Sequence, residues 1–332
     1  MDLPAPLRLA LEGASTGVPR ETLRAAARRM TERYRANPDH ATIDVRSGTD
    51  ALAYAAVRMP ATFAAVAAAL AGAADRLPDF DPASHLDVGS GPGTAAFAAT
   101  AVWDRLRAQM LLERDPQLAA LGRRLMGSAG HAIAADWRAV DLLRNADLGG
   151  PFDLVTCAYV LGELPEAARP GLVDRLWSAT GGLLVLVEPG SRAGHARVVA
   201  ARDRLIAAGG HVAAPCPHTT ACPVPAGDWC HFAARLARSR LHRDVKDGDR
   251  GFEDEPFSYV AVSRGPGEPA IHGRVLRPPQ VGKAGVRLRL CVPPGAVEDR
   301  MVPSRDKPAF RRAKDADWGD AFELDPGDGS SV

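Results

Sequence analysis

The chain has 332 residues, 46% of them hydrophobic, which suffices for one large core or two modest ones, and its formal net charge is +1 at pH 7. No apolar run reads as a bilayer span: the longest, 61–74, is mostly alanine and has the character of a packed helix, so a soluble, membrane-free, monomeric protein is expected. The small net charge hides a split, because residues 231–314 hold 18 Lys and Arg against 10 Asp and Glu, whereas 315–332 hold 6 acids and no base.

In chain order, residues 1–80 read as an N-terminal helical region, interrupted by turn residues around 37–50. Residues 81–210 alternate short apolar strands, at 85–88, 110–113, 132–135, 154–158 and 183–188, with helical segments, the pattern of a parallel, doubly wound α/β sheet. A helix over 193–208 leads into a cysteine-rich loop, and a second helix is expected over 229–245. Strand character returns at 257–263 and 286–292, so 211–314 is expected to be a basic β subdomain with Cys291 on a strand edge. Residues 315–332 read as an acidic, disordered tail.

The segment HLDVGSGPGT, 85–94, puts an acid and three glycines where the first strand gives way to a helix. Glycine permits the tight turn and lets a ligand approach the backbone, while the helix start offers unpaired amides. Thr94 stands where a pyrophosphate fingerprint wants glycine, and Asp87 would repel a phosphate, so the loop suits a cation or zwitterion. Here the chain resembles class I S-adenosylmethionine-dependent methyltransferases over about residues 80–190, with Asp87, Gly89, Gly91 and Gly93 as the first motif. The resemblance implies that Glu113 accepts the ribose hydroxyls and that Asp136 and Trp137 lie near the adenine. The acceptor region, FDLVTCAYVLGELP at 152–165, lacks the tetrad that grips an exocyclic amine. Glu163 and Glu188 are candidate pocket residues with no evident general base, and Cys157 reads as a buried strand cysteine.

Cys216, Cys222 and Cys230 lie within fifteen residues of one another among prolines, and Cys291 follows sixty residues further on. Thiolates bind soft metals, and this spacing departs from the paired knuckle of a zinc ribbon, which favours an iron–sulfur cluster; His218 and His231 keep a mixed zinc site open. A disulfide is disfavoured because the opening MDLPAPLR does not resemble a secretory signal. The 4 lysines against 37 arginines, with abundant alanine, suggest a GC-rich bacterial gene and therefore the bacterial cytoplasm.

DWCHFAARLARSRLHR at 228–243, GFEDEPFSYVAVSR at 251–264, YAAVRMPATF at 54–63 and RAKDADWGD at 312–320 resemble the methyltransferase-like family associated with the small ribosomal subunit, found in bacteria and mitochondria. That likeness implies a class I methyltransferase fold, a 4Fe-4S site on Cys216, Cys222, Cys230 and Cys291, and contact with small-subunit (30S) ribosomal RNA during ribosome maturation. Methyl transfer to RNA and a non-catalytic RNA platform are both compatible with it.

Overall fold

The computed structural model describes residues 2–36, 44–144, 147–225, 227–246, 250–267, 272–293 and 295–323. Three helices come first, α1 (Ala5–Ala14), α2 (Arg20–Ala36) and α3 (Gly48–Ala74). Then follow β1 (Ser84–Val88), α4 (Thr94–Thr100), β2 (Ala108–Leu112), α5 (Pro116–Ser128), β3 (Ala134–Arg138) and β4 (Phe152–Ala158). The core closes with α6 (Arg169–Ala179), β5 (Thr180–Pro189), α7 (Arg192–Ala207), β6 (His211–Ala214), β7 (Phe232–Ala237), α8 (Arg240–Lys246) and β8 (Phe252–Ser263). A second group holds β9 (His272–Val275), β10 (Gln280–Val281), β11 (Gly285–Val292), β12 (Ala296–Pro303), α9 (Lys307–Asp315) and β13 (Ala321–Glu323).

The central sheet runs β3-β2-β1-β4-β5-β8-β6, with β7 paired to β8. β1 to β5 are parallel, and the inner strands β1, β4 and β5 are buried on both faces, as helices packed on each side of a parallel sheet require. β8 runs antiparallel to β5, β6 and β7, so the sheet is mixed and not wholly parallel. This is a methyltransferase-like, Rossmann-type α/β fold. The second sheet, β10-β11-β9-β13 with β12 on β11, is antiparallel and buries Val286, Leu288 and Leu290 beneath Ala309 and Ala313 of α9.

α3 departs from expectation in one respect: by length and composition it could cross a membrane, yet 72% of its apolar stretch is buried inside the protein. Its alanines let it approach α2, α4 and β8 closely, and Ser47 caps its start by accepting from the Asp50 amide at 3.2 Å.

Three further expectations are corrected. Residues 232–237, expected to be helical, form β7, because their alternation of buried and exposed side chains matches a strand laid on β8. Cys291 is not on an edge, since β11 is flanked there by Val297 of β12 and Arg274 of β9. Within the acidic tail, Ala321–Glu323 pairs with β9 and Phe322 is buried in the small core; residues 324–332 lie outside the described residues.

Candidate functional site

A cavity of about 510 Å³ opens at the carboxyl ends of β1, β2, β4 and β5, the place where this fold leaves a crevice between diverging connections. Asp87 comes from the end of β1, Gly89 and Gly91 from the β1–α4 loop, Glu113 from just beyond β2, Tyr159 and Glu163 from the turn after β4, and Glu188 from β5. Tyr54 and Arg58 of α3, one turn apart on the same face, and Glu255 of β8 close the other side.

The glycine loop is left-handed at each glycine, with φ of 70° at Gly89, 54° at Gly91 and 84° at Gly93. A Cβ on Gly89 would lie 2.4 Å from Val160 Cγ2, whereas one on Gly91 would meet nothing within 4 Å, so Gly91 borders open space. Glu113 Oε2 accepts from the Gly91 amide at 2.7 Å and its Oε1 from the Asp115 amide at 2.7 Å, which fixes the carboxylate at the cavity wall with lone pairs to spare.

The acids differ in how they are held. Burial pushes Asp87 up to about 7, against a hydrogen bond from Thr156 that favours the charged form. Burial, aided by the charge of Glu113, pushes Glu163 up to about 8. Glu188 is also raised by burial, but its oxygens are engaged: it accepts from the Leu161 amide at 3.0 Å and from Arg197 Nε at 2.6 Å. It therefore ties the turn after β4 to α7. Tyr159 has φ of 62°, a strained conformation for a tyrosine, and its hydroxyl donates to Glu255 at 3.2 Å.

Four of the seven residues expected around the ligand, Asp87, Gly89, Gly91 and Glu113, line the cavity. Gly93 stands behind it as the α4 N-cap, where a Cβ would crowd Met126 and Leu111. Asp136 and Trp137 do not line the cavity. Asp136 is exposed and paired with Arg138 at 2.8 Å, while Trp137 packs beneath the loop against Gly122 of α5. The strand runs to Arg138, three residues beyond its expected end, so Asp141, Leu142 and Leu143 enter the cavity instead. Sequence reading missed Tyr54 and Arg58 as well, although their four-residue spacing was a legible helix-face signal. Cys157 is buried in the core, as expected.

A second, small space of about 40 Å³ lies between α7 and the C-terminal sheet, and Cys216, Cys222, Cys230 and Cys291 all line it. None of the five cysteines is joined in a disulfide. Burial pushes Cys291 up to about 12 and Cys230 well above its ordinary value, and neighbouring cysteines add to both shifts. His218 Nε2 lies 3.3 Å from Cys291 Sγ, whereas His231 turns away and stacks on Trp229. Among the described residues, no three His, Cys, Asp or Glu side chains are arranged to hold a single metal ion.

Arg202 of α7, 2% exposed, clamps the cysteine loop by donating to the His218 and Thr220 carbonyls at 3.0 and 2.7 Å. Arg202→Ala strips two carbonyls and leaves a void, so it is expected to cost about 3 kcal/mol in urea unfolding and to free the loop to proteolysis. Trp229 Nε1 joins this region to the cavity wall by donating to Gly190 O at 2.8 Å, and Ser258 Oγ of β8 ties it to the central sheet by donating to Cys230 O at 2.7 Å.

The profile of the family described as "Mitochondrial small ribosomal subunit Rsm22" matches residues 48–323. The chain belongs to the Rsm22 family. Among Rsm22 relatives, it is 31% identical over 290 residues to the human "Ribosome assembly protein METTL17, mitochondrial", covering 82% of this chain and 62% of that protein. It is 26% identical over 294 residues to "Rsm22-cox11 tandem protein 2, mitochondrial" of Schizosaccharomyces pombe, covering 72% of this chain and 38% of that protein. The Rsm22 chain thus spans less than two thirds of either relative. Both relatives and the family description are mitochondrial, which overturns the expected bacterial cytoplasm and the bacterial 30S partner.

Among solved structures, magnesium protoporphyrin IX methyltransferase from Synechocystis PCC 6803 aligns with TM-score 0.41 and 15% identity, over 71% of this chain and 94% of that one. An O-methyltransferase family protein from Burkholderia thailandensis aligns with TM-score 0.43 and 14% identity, over 67% and 62%.

Proposed function

We propose that this Rsm22 protein is a ribosome-assembly factor of methyltransferase fold that binds S-adenosylmethionine in the large cavity and contacts mitochondrial small-subunit ribosomal RNA through its basic C-terminal region. The observation that carries the donor-site reading is the convergence of the left-handed glycine loop and the anchored Glu113 on one cavity. Open space at Gly91 supports close approach of a ligand to the main chain, Glu113 would accept the ribose hydroxyls, and Asp141 would take the adenine-side role that sequence reading gave to Asp136. When bound, S-adenosylmethionine supplies a methyl group already activated on a sulfonium, so the chain has chiefly to position and to exclude water. Calorimetry should find one site per chain, weakened about 10- to 100-fold by Glu113→Ala; no binding to the unaltered protein would refute the donor-site reading.

The four cysteines are assigned to a 4Fe-4S cluster, with zinc as the alternative. Their thiols face one space beside the cations Arg202 and Arg274, and a polynuclear cluster tolerates a wider ligand set than the single ion for which no arrangement stands ready. The cluster would fasten β11, through Cys291, to the loop bearing the other three.

For RNA, α9 turns Ala309 and Ala313 inward onto β11 and leaves Lys307, Arg311 and Lys314 exposed. Lys307→Glu, Arg311→Glu and Lys314→Glu together are expected to weaken small-subunit RNA binding and to flatten its salt dependence by about 0.7 log units for each phosphate no longer neutralised. An unchanged salt slope would move the interface elsewhere. Turnover is a separate matter: Glu188 and Glu255 are already engaged, and the amine-gripping tetrad is missing, which favours a factor that assembles without methylating. Tritium transfer from labelled donor to small-subunit RNA would decide for catalysis.

A further inference from the structure

A chain of polar side chains crosses the sheet beneath the cavity. Thr156 Oγ1 donates to Asp87 Oδ1 at 2.8 Å. Its oxygen is thereby left to accept from His85 Nε2, also at 2.8 Å. His85 Nδ1 is then bare and accepts from Gln109 Nε2 at 3.3 Å, and Gln109 Oε1 accepts from His131 Nε2 at 2.7 Å. Every donor points toward Asp87, and the directions fix the tautomers of both histidines. Asp87, Thr156, His85 and Gln109 are at most 2% exposed, while His131, just beyond α5, is only half-buried.

The chain ends on a carboxyl that is only half satisfied. Asp87 Oδ2 is buried and, among the described residues, has no hydrogen-bond partner, although Asp87 itself borders the cavity. The groups around the carboxyl are Thr156 on β4, Glu113 beyond β2 and the Ala96 amide of α4, which also favours its charged form, while the Cys157 thiol interacts with it from the other face of the sheet. None of these is a cation. A buried carboxylate with a bare oxygen needs either a proton or a positive ligand group.

We propose that Asp87 carries a proton while the cavity is empty and releases it when a ligand ammonium group docks on Oδ2, with Thr156, His85, Gln109 and His131 as the positioning residues that hold the carboxyl for this exchange. The inference rests on the donor-site reading and adds a proton to it. The bond balance is simple: the Oδ2–H bond breaks, the proton goes to solvent, and the carboxylate then accepts from the ligand N–H. The position of Asp87 near 7 makes the exchange accessible at physiological pH, and burial holds His85 down to about 3, so the neutral tautomer required by the chain persists.

The test is calorimetric titration of S-adenosylhomocysteine, which carries the same ammonium group, into the full chain from about pH 6 to 8.5 in buffers of differing ionisation enthalpy. Release of about one proton is expected at the acid end and close to none at the alkaline end, with Kd weakening about tenfold per pH unit below 7. Asp87→Asn should bind with no proton release, and Glu163→Gln should keep it. Thr156→Val removes a hydrogen bond that favours the carboxylate, so its window should move to higher pH, a shift that a merely structural chain would not produce. Binding without proton release at pH 6, or release abolished by Glu163→Gln and kept in Asp87→Asn, overturns the inference alone. No binding at any pH overturns it together with the donor-site reading.

Discussion

Gly89→Ala is expected to reduce ligand affinity in the large cavity by more than about 100-fold while leaving the chain folded. The position has φ of 70°, where an L side chain costs about 1–2 kcal/mol. The added Cβ would also stand 2.4 Å from Val160 Cγ2, and relieving such an overlap costs about 1–3 kcal/mol more. Val160 is buried next to the strained Tyr159, so the loop must give way first. It carries the Gly91 amide off Glu113 as it moves. Gly91→Ala is the contrasting variant: the backbone strain is similar, but its Cβ meets nothing within 4 Å, so about a tenfold loss is expected. Calorimetry with S-adenosylmethionine, paired with thermal unfolding, checks both, and wild-type affinity in Gly89→Ala would remove the loop from the site.

Cys230→Ser is expected to bleach the protein and loosen its C-terminal part. In the proposed cluster the thiolates hold about four irons per chain, and a serine in a buried thiolate position is a poor ligand for them. Cys230 also sits at a structural junction, since its carbonyl accepts from Ser258 and its neighbour Trp229 bonds to Gly190. Losing the metal should therefore expose the second sheet, 272–323, to proteolysis while the central sheet resists. Cys157→Ser is the control, a buried strand thiol far from this loop in sequence, and it should keep the colour. Iron analysis and the visible spectrum of anaerobically purified protein measure the outcome. A colourless unaltered protein holding one zinc would leave the staple but remove the cluster.

The parts of the fold that were legible in sequence are those where local pattern and tertiary role agree. β1 and the glycine loop read correctly because a buried strand running into a left-handed turn constrains residue type at nearly every position. β7 did not, since FAARLA is rich in helix formers and takes strand form only by pairing with β8, a partner twenty residues away in sequence. β3 was misplaced because it is an outer strand with few buried residues, and that shift alone put Asp141 and not Asp136 in the cavity wall. The gathering of the four cysteines was legible as a pattern, yet β11's place inside its sheet was not, since strand pairing is invisible in a single strand's alternation. Glu255 and Tyr54 reach the cavity from segments two hundred residues apart, and nothing local to either marks them as neighbours.

Ultraviolet crosslinking of the protein to RNA in mitochondria, followed by sequencing of the bound fragments, tests the account most directly. A localised footprint on small-subunit ribosomal RNA, crosslinked to peptides from 272–323 and abolished in the α9 charge-reversal variant, is the predicted result. A footprint confined to other RNAs, or none above background, would contradict it.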